Sequence, residues 1–567
     1  MPSNFLAFGR HFRATSRSSP PRRGACGAHG ASRPRVPPSP ARSFSPSPCL
    51  GGARAPARPL FNFSLNLLDK NAKKTTVFTP KDPRKCRHAT MPRDHPDSLY
   101  FPPSYLREVL SAPICAPPAA TPASGVTRIS RLDNGLTVAS QETRSQMSAI
   151  GLYVKAGTRY EDSTTYGTCV LLERLSFRST LEHTAAEVVG ALENMGVHVT
   201  TSSSRECMVY SAEVLRELLD PMLSMLANTI LRPKITEEDL SLQVKRLQED
   251  MQNNRRHPAA YLPEVLHEVA YAGSPLARSL IVPDEQLASI TPQVIRKYLK
   301  NYFIGPRMVL AGASVDHEQF VELASKHFSP IPKNPESPPD LSETPSSYVG
   351  GMRLVPPADD SEKLEHAHVS VAFECCGLND PQFFVTYTLS MLMGGGMSFS
   401  AGGPGKGMYT RLNTNVINRY GWVESCEAFI SSYIDTGIFG ITGSCSVRHT
   451  SAFLDILCDQ LTRISTHLTE EEVSRAKNQT KTSIFYNLET LNVLHDDIGR
   501  HVMIFGKRIT PGELSKMIDT ITPSDIRTCV QRILSTPPTV VVYAPTSVLD
   551  KVQDYDSIKR YFEEHTA

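Results

Sequence analysis

No run of about 18 uncharged apolar residues occurs anywhere in the 567-residue chain, so no segment reads as a bilayer-spanning helix. If the protein meets a membrane, it does so peripherally, through a partner. The twelve cysteines contain no CxxC pair, and the closest two, Cys375 and Cys376, are adjacent. Such spacing argues against a disulfide framework or a structural zinc site and fits a reducing compartment. GxSxG is missing, and Cys426, Cys445 and Cys458 have no nearby histidine at catalytic spacing, so no serine or cysteine nucleophile is signalled. What remains is globular in composition, 40% hydrophobic and 21% charged, and at 62.5 kDa too long for one ordinary core.

Acidic residues are also missing from the first 68 positions, where ten arginines from Arg10 to Arg58 stand before the first carboxylate, Asp69. Arginine-rich, serine-rich and acid-free is the composition of an organellar transit peptide. MPSNFLAFGRHFRATSR can place Phe5, Leu6, Phe8 and Phe12 near one helical face. The alternative is a basic arm for nucleic acid or lipid. The charge balance weighs against nucleic acid, because the formal +3 of the whole chain becomes −7 once those ten arginines are set aside.

Proline and serine dominate to about residue 60, and folding proper is expected from residue 125, where VTRISRLDNGLTVASQE reads as two short strands about the Asp133-Asn134-Gly135 turn. A second proline-rich passage, SPIPKNPESPPDLSETPSS, separates two halves with the same order of strand, helix and alternating hairpin strands. The expected organisation is a poorly ordered extension over 1–124, a domain over 125–328, a linker over 329–365 and a second domain over 366–567. The fold class is α+β, with two similar α/β-roll domains from an internal duplication.

GGGMSFSAGGPGKGMYTRL, residues 394–412, is the most glycine-dense stretch of the chain. It is not a P-loop: Gly405-Lys406 is present, but Ser400 and Gly407 stand where the first glycine and the hydroxyl residue belong. Glycine permits wide backbone excursions, while Met397, Phe399, Met408 and Tyr409 supply apolar contact, which suits a mobile loop touching an extended partner. VLLER (170–174) reads in isolation as a core helix with a surface charge. HDDIGRH (495–501) sets two histidines six residues apart, on opposite sides of a helix, and is expected to be a solvated face.

Taken together, the glycine stretch, the following INRYGWVESCEAFISSYIDTGIFGI, and NGLTVAS, YVKAGTRYED, LLERLSFRST, PLARSLI, NYFIGPRMVLAGASVDHE and ITPSDIRTCVQRIL resemble the alpha subunits of mitochondrial processing peptidases. These belong to the pitrilysin-type metallopeptidases, and the likeness runs from about residue 125 to the end. Catalytic members of that family carry HxxEH and a distal glutamate. The resemblance implies a degenerate site here: Val170 and Arg174 replace the histidines, Glu173 is retained, Asp250 falls at the distal position, and Gln243 stands at another normally acidic one. Valine has no lone pair and arginine stays protonated, so neither binds zinc. The resemblance further implies no catalytic residue and no cofactor on this chain, zinc on a beta-subunit partner in a heterodimer, and extended basic presequence peptides as substrate, which the acidic body would attract. Gly394, Gly395, Gly396, Ser398, Phe399, Ser400, Gly402, Gly403, Pro404, Gly405, Lys406, Gly407 and Tyr409 are the expected substrate-binding loop. Lys406 either touches substrate or bonds carbonyls or an acid on the partner. The implied location is the mitochondrial matrix or the matrix face of the inner membrane. The alternative role is a structural core subunit of the respiratory ubiquinol–cytochrome c oxidoreductase, alone or in addition.

Overall fold

The computed structural model describes residues 125–143, 145–336, 345–357, 364–398 and 407–566. The expected transit peptide and extension over 1–124 lie outside the described residues, as do parts of the linker and loop residues 399–406.

The first half runs β1 (Thr127–Arg131), β2 (Thr137–Gln141), β3 (Met147–Val154), α1 (Thr168–Leu175), α2 (Ala185–Met195), β4 (His198–Ser203), β5 (Met208–Leu215), α3 (Leu219–Leu231), α4 (Glu237–Arg256), α5 (Pro258–Ala270), α6 (Asp284–Ser289), α7 (Pro292–Tyr302), β6 (Met308–Ala313) and α8 (His317–Phe328). The second runs β7 (Gly351–Val355), β8 (His366–Cys376), α9 (Phe383–Met393), β9 (Gly395–Met397), β10 (Val423–Ser432), β11 (Thr436–Ser446), α10 (Thr450–Thr466), α11 (Glu470–Asn487), α12 (Leu491–Phe505), α13 (Pro511–Thr520), α14 (Pro523–Leu534), β12 (Thr539–Tyr543), α15 (Thr546–Leu549) and α16 (Tyr555–Thr566). Threonine capping boxes set four of the helix starts: Thr184 with Glu187, Thr469 with Glu472, Thr510 with Glu513 and Thr522 with Asp525. None of the helices among the described residues is long and apolar enough to cross a membrane.

The strands form two six-stranded sheets, ordered β1-β2-β6-β3-β5-β4 and β7-β12-β8-β11-β10-β9. Five positions correspond strand for strand. β2 lies parallel to β6 as β7 does to β12, and the remaining neighbours are antiparallel in both: β6/β3 with β12/β8, β3/β5 with β8/β11, and β5/β4 with β11/β10. β1 is added to the first sheet and β9, from the glycine-rich stretch, to the second. The segment expected as a linker, 329–365, therefore contains a strand, β7, of the second sheet.

The central strands of each sheet are buried on both faces, and the two faces are covered differently. In β3, Ile150, Leu152 and Val154 point into a core built with helices of the same half, while Ala149 and Tyr153 meet Leu494, Ile498 and Val502 of α12. α12 belongs to the other half. Conversely, α5 of the first half lays Leu262, Val265, Leu266 and Val269 against Val355, Ala372, Ile438, Val541 and Tyr543 of the second sheet. The halves thus exchange helices. Contact between α12 and β3 is close enough to require glycine on both sides: a Cβ on Gly151 would lie 2.7 Å from the His495 ring, and one on Gly499 would lie 2.1 Å from the Tyr153 ring.

This packing corrects the expectation for HDDIGRH. His495 and His501 are each 1% exposed, and Asp497 and Arg500 are buried with them, because the helix covers a sheet rather than facing water. Their charges are met internally. Arg500 Nε donates to Asp496 at 2.9 Å, Tyr153 Oη donates to the same carboxylate at 3.2 Å, and Arg508 Nε donates to Asp497 at 2.8 Å. The stretch TEEEVSRAKNQTKTSIFYNLETLNVL supplies α11 and the start of α12, broken between Asn487 and Leu491 so that the second helix can cross to the other half.

A polar clasp joins the halves at the turns of two corresponding hairpins, β4–β5 and β10–β11. Arg159 bonds Asp435 through two nitrogens, at 2.8 and 2.6 Å, and also pairs with Glu206. Glu206 in turn accepts from the Ile434 amide at 3.2 Å, and Tyr433 shares a 2.7 Å bond with His267 of α5. Burial pushes the Glu206 carboxyl up to about 7, against the pull of Arg159.

Ile498→Ala is expected to cost about 2–5 kcal/mol in denaturant unfolding. Although the residue belongs to the second half, amide exchange should accelerate first in β3 and β6. Loosening confined to β8 and β11 would contradict the exchange of helices.

Candidate functional site

Glu161 sets the start of α1. It is 3% exposed and accepts the amides of Gly167, at 2.9 Å, and Cys169, at 2.7 Å, the first donors of the helix. Burial pushes this carboxyl up to about 7, and the two amides oppose the shift only in part. From that start the helix turns Val170, Leu171 and Leu172 into the first core. Val170 is therefore a packing residue.

Glu173 and Arg174 leave the helix on its less buried side. One Glu173 carboxylate oxygen accepts both the amide of Ser203, at 3.0 Å, and its hydroxyl, at 2.7 Å, tying α1 to the end of β4. Arg174 pairs with Asp250 on α4, the two side chains being 30% and 48% exposed. Gln243 lies two turns before Asp250 on α4, is buried, and has a side-chain nitrogen without a hydrogen-bond partner. The residues expected at the degenerate site are thus brought together. A valine without a lone pair and a guanidinium already paired with the distal carboxylate do not fit zinc. Among the described residues no group of three or more histidine, cysteine, aspartate or glutamate side chains could hold a metal ion.

The glycine-rich stretch begins at the C-terminus of α9. Gly394 has φ +59° and Gly395 +105°, and a Cβ on Gly395 would lie 2.1 Å from the Cys426 carbonyl oxygen, so Gly395 is required by the backbone's approach to β10. Gly395, Gly396 and Met397 form β9, pairing with Glu427, Cys426 and Ser425, and the Ser398 amide donates to the Glu424 carbonyl at 2.7 Å. Phe399, Ser400, Gly402, Gly403, Pro404, Gly405 and Lys406 lie outside the described residues. The chain is described again from Gly407, at φ +79°. Tyr409 is 75% exposed. Behind it Thr410, Arg411 and Asn413 are buried. Arg411 donates to Glu472 at 3.1 and 3.0 Å and to the His467 carbonyl, fixing the end of the stretch to the α10–α11 junction. The sequence reading passed over these three residues. Their only signal is a polar run, TRLNTN, between the glycines and an apolar VI.

A pair of matching sheets, each covered by a helix of the other half, with the Arg174–Asp250 ion pair between α1 and α4, describes a two-domain chain of mixed helices and strands. Comparison with known proteins narrows the class. A family model described as "Insulinase (Peptidase family M16)" matches residues 137–284, and one described as "Peptidase M16 inactive domain" matches residues 289–480. The chain is 37% identical to the probable mitochondrial-processing peptidase subunit alpha of Schizosaccharomyces pombe, over 73% of this chain and 83% of that one. It is 33% identical to the mitochondrial-processing peptidase subunit alpha of Neurospora crassa, over 72% and 82%, and 34% identical to that of Solanum tuberosum, over 77% and 85%. A chain of complex III2 from Candida albicans has the same fold, with a TM-score of 0.65 at 20% identity, over 77% of this chain and 99% of that one. The chain belongs to the M16 peptidase family, among the mitochondrial-processing peptidase alpha subunits.

Because both partners are substantially exposed, an Arg174→Gln/Asp250→Asn double-mutant cycle is expected to give a coupling of about 0.5 kcal/mol in unfolding free energy, and less than about 1. A coupling of several kcal/mol would mean that the pair is far better shielded. Glu161 carries a pH dependence. Its folded pKa lies above the ordinary glutamate value, so its contribution is full below about pH 4.5 and is lost as pH rises through about 7. Relative to Glu161→Gln, the wild type should lose about 2.5 kcal/mol between about pH 5 and about pH 8. Parallel denaturation curves at the two pH values check this, and an unchanged difference would place the carboxylate in a solvated setting.

Proposed function

We propose that this chain is the non-catalytic, substrate-recognising alpha subunit of a mitochondrial processing peptidase. It binds presequences of imported precursors, and a zinc-bearing beta subunit cuts them. The observation carrying this reading is that Arg174 and Asp250 form an ion pair at two metal-ligand positions, while the base of the glycine-rich loop is held at the edge of the second sheet. The exposed Met397 and Tyr409 flanking the loop supply apolar contact for an extended peptide, and the acidic balance outside the leader favours a basic one. On this reading the chain works in the mitochondrial matrix or at the matrix face of the inner membrane, contacts the membrane only peripherally, and binds no nucleic acid. The five corresponding strands of the two sheets support an origin by internal duplication.

A second reading is favoured by the likeness to a chain of complex III2, nearly all of which is covered. In it the protein is a structural core subunit of the respiratory ubiquinol–cytochrome c oxidoreductase, alone or in addition to processing. Co-purification with cytochromes in mild detergent distinguishes that role from a soluble matrix enzyme.

A fluorescent presequence peptide incubated with this chain, with its beta partner, and with both is expected to be cleaved only in the mixture, with zinc only on the partner. Removal of residues 399–406 should lower kcat/KM about tenfold or more while the heterodimer still assembles. Undiminished cleavage after that deletion would sink the recognition role, and no gain on mixing would leave the structural one.

A further inference from the structure

The two ends of the glycine-rich stretch meet at one hydroxyl. Thr410 Oγ1 accepts the amide of Gly395, at 3.3 Å, and the side-chain amide of Asn413, at 2.9 Å, and donates to the Gly407 carbonyl at 2.8 Å. A threonine hydroxyl has one proton and two lone pairs, so this is its full complement. Asn413 Nδ2 donates a second bond to the same Gly407 carbonyl, at 3.0 Å, and the Thr410 amide a third, also at 3.0 Å. Both side chains are buried. Gly394 is glycine for the same reason: a Cβ there would lie 2.4–2.5 Å from three atoms of the Thr410 side chain. Asn413 also opens a single π-helical turn, Asn413–Ile417, in which the Asn418 amide reaches back to the Asn413 carbonyl at 2.9 Å. Such turns are rare and recur at functional sites.

We propose that Thr410 and Asn413 are positioning residues for peptide recognition, pinning the incoming strand at Gly394–Gly395 to the outgoing turn at Gly407. The inference rests on the reading of this chain as the recognition subunit. Holding the two ends of a chain segment together carries an entropic cost that rises with its length. The pin meets that cost during folding, so the loop starts from a fixed place at the sheet edge before a peptide arrives, and binding need not order its base. Arg411, held by Glu472 and by carbonyls at the end of α10, keeps the pin in register with the helices behind it. Neither Thr410 nor Asn413 needs to touch the peptide for this to matter.

The test uses the assembled heterodimer and a fluorogenic presequence peptide, with four variants of this chain: Thr410→Val, Thr410→Ser, Asn413→Ala and a deletion of 399–406. Thr410→Val keeps the shape and removes the hydroxyl, leaving the Gly395 and Asn413 donors without their acceptor. It should raise KM about three- to tenfold with kcat nearly unchanged. Amide exchange should become faster at Gly395 while the cores remain protected. Thr410→Ser should restore the wild-type KM, which a packing role for the methyl group would not allow. Asn413→Ala, an independent route to the same loss, should raise KM in the same direction. Wild-type KM in both Thr410→Val and Asn413→Ala, with a raised KM in the deletion, would overturn the pin and leave the recognition reading standing. Wild-type KM in the deletion itself would overturn the recognition reading on which the pin depends.

Discussion

The structure depends on a reciprocal burial: α12 of the second half covers the first sheet, and α5 of the first half covers the second. A sheet with apolar residues on both faces cannot leave one of them in water, so neither half is complete alone. The clasp of Arg159, Glu206 and Asp435 sits where the hairpin turns of the two halves meet, and its polar bonds add direction to an association that the apolar faces drive. One guanidinium serves two carboxylates there, and burial raises the Glu206 carboxyl against the pull of that guanidinium.

On α1, Arg174 pairs with Asp250 of α4, and Glu173 accepts the amide and hydroxyl of Ser203 at the end of β4. These bonds join α1 to two of its neighbours, β4 and α4. An ion pair there is cheap because it is partly solvated, and it contributes local order rather than global stability.

Much of the local structure is legible in the sequence. The Asp133-Asn134-Gly135 turn, the threonines ahead of glutamate or aspartate at helix starts, and the apolar runs of β3, β8 and β12 all follow from short-range rules. The destination of a helix is not among them. An apolar stripe states that α12 must be buried without stating against what, and its histidines, aspartates and arginine look solvated until Tyr153 and Arg508 are brought to them from distant positions. For the same reason Val170 and Arg174 could be placed from the resemblance, whereas the Thr410 pin joins residues whose closeness only the folded backbone establishes.

The exchange of helices also orders events in time. β3 closes at residue 154 and α12 begins at residue 491, so the inner face of the first sheet stays uncovered until more than three hundred further residues have emerged. A chain delivered in extended form, one end first, cannot finish its leading half before its trailing half arrives. Loops of that span make closure slow, and the exposed strands are open to mispairing meanwhile. The architecture that joins the two halves therefore makes their assembly dependent on whatever shields half-made sheets.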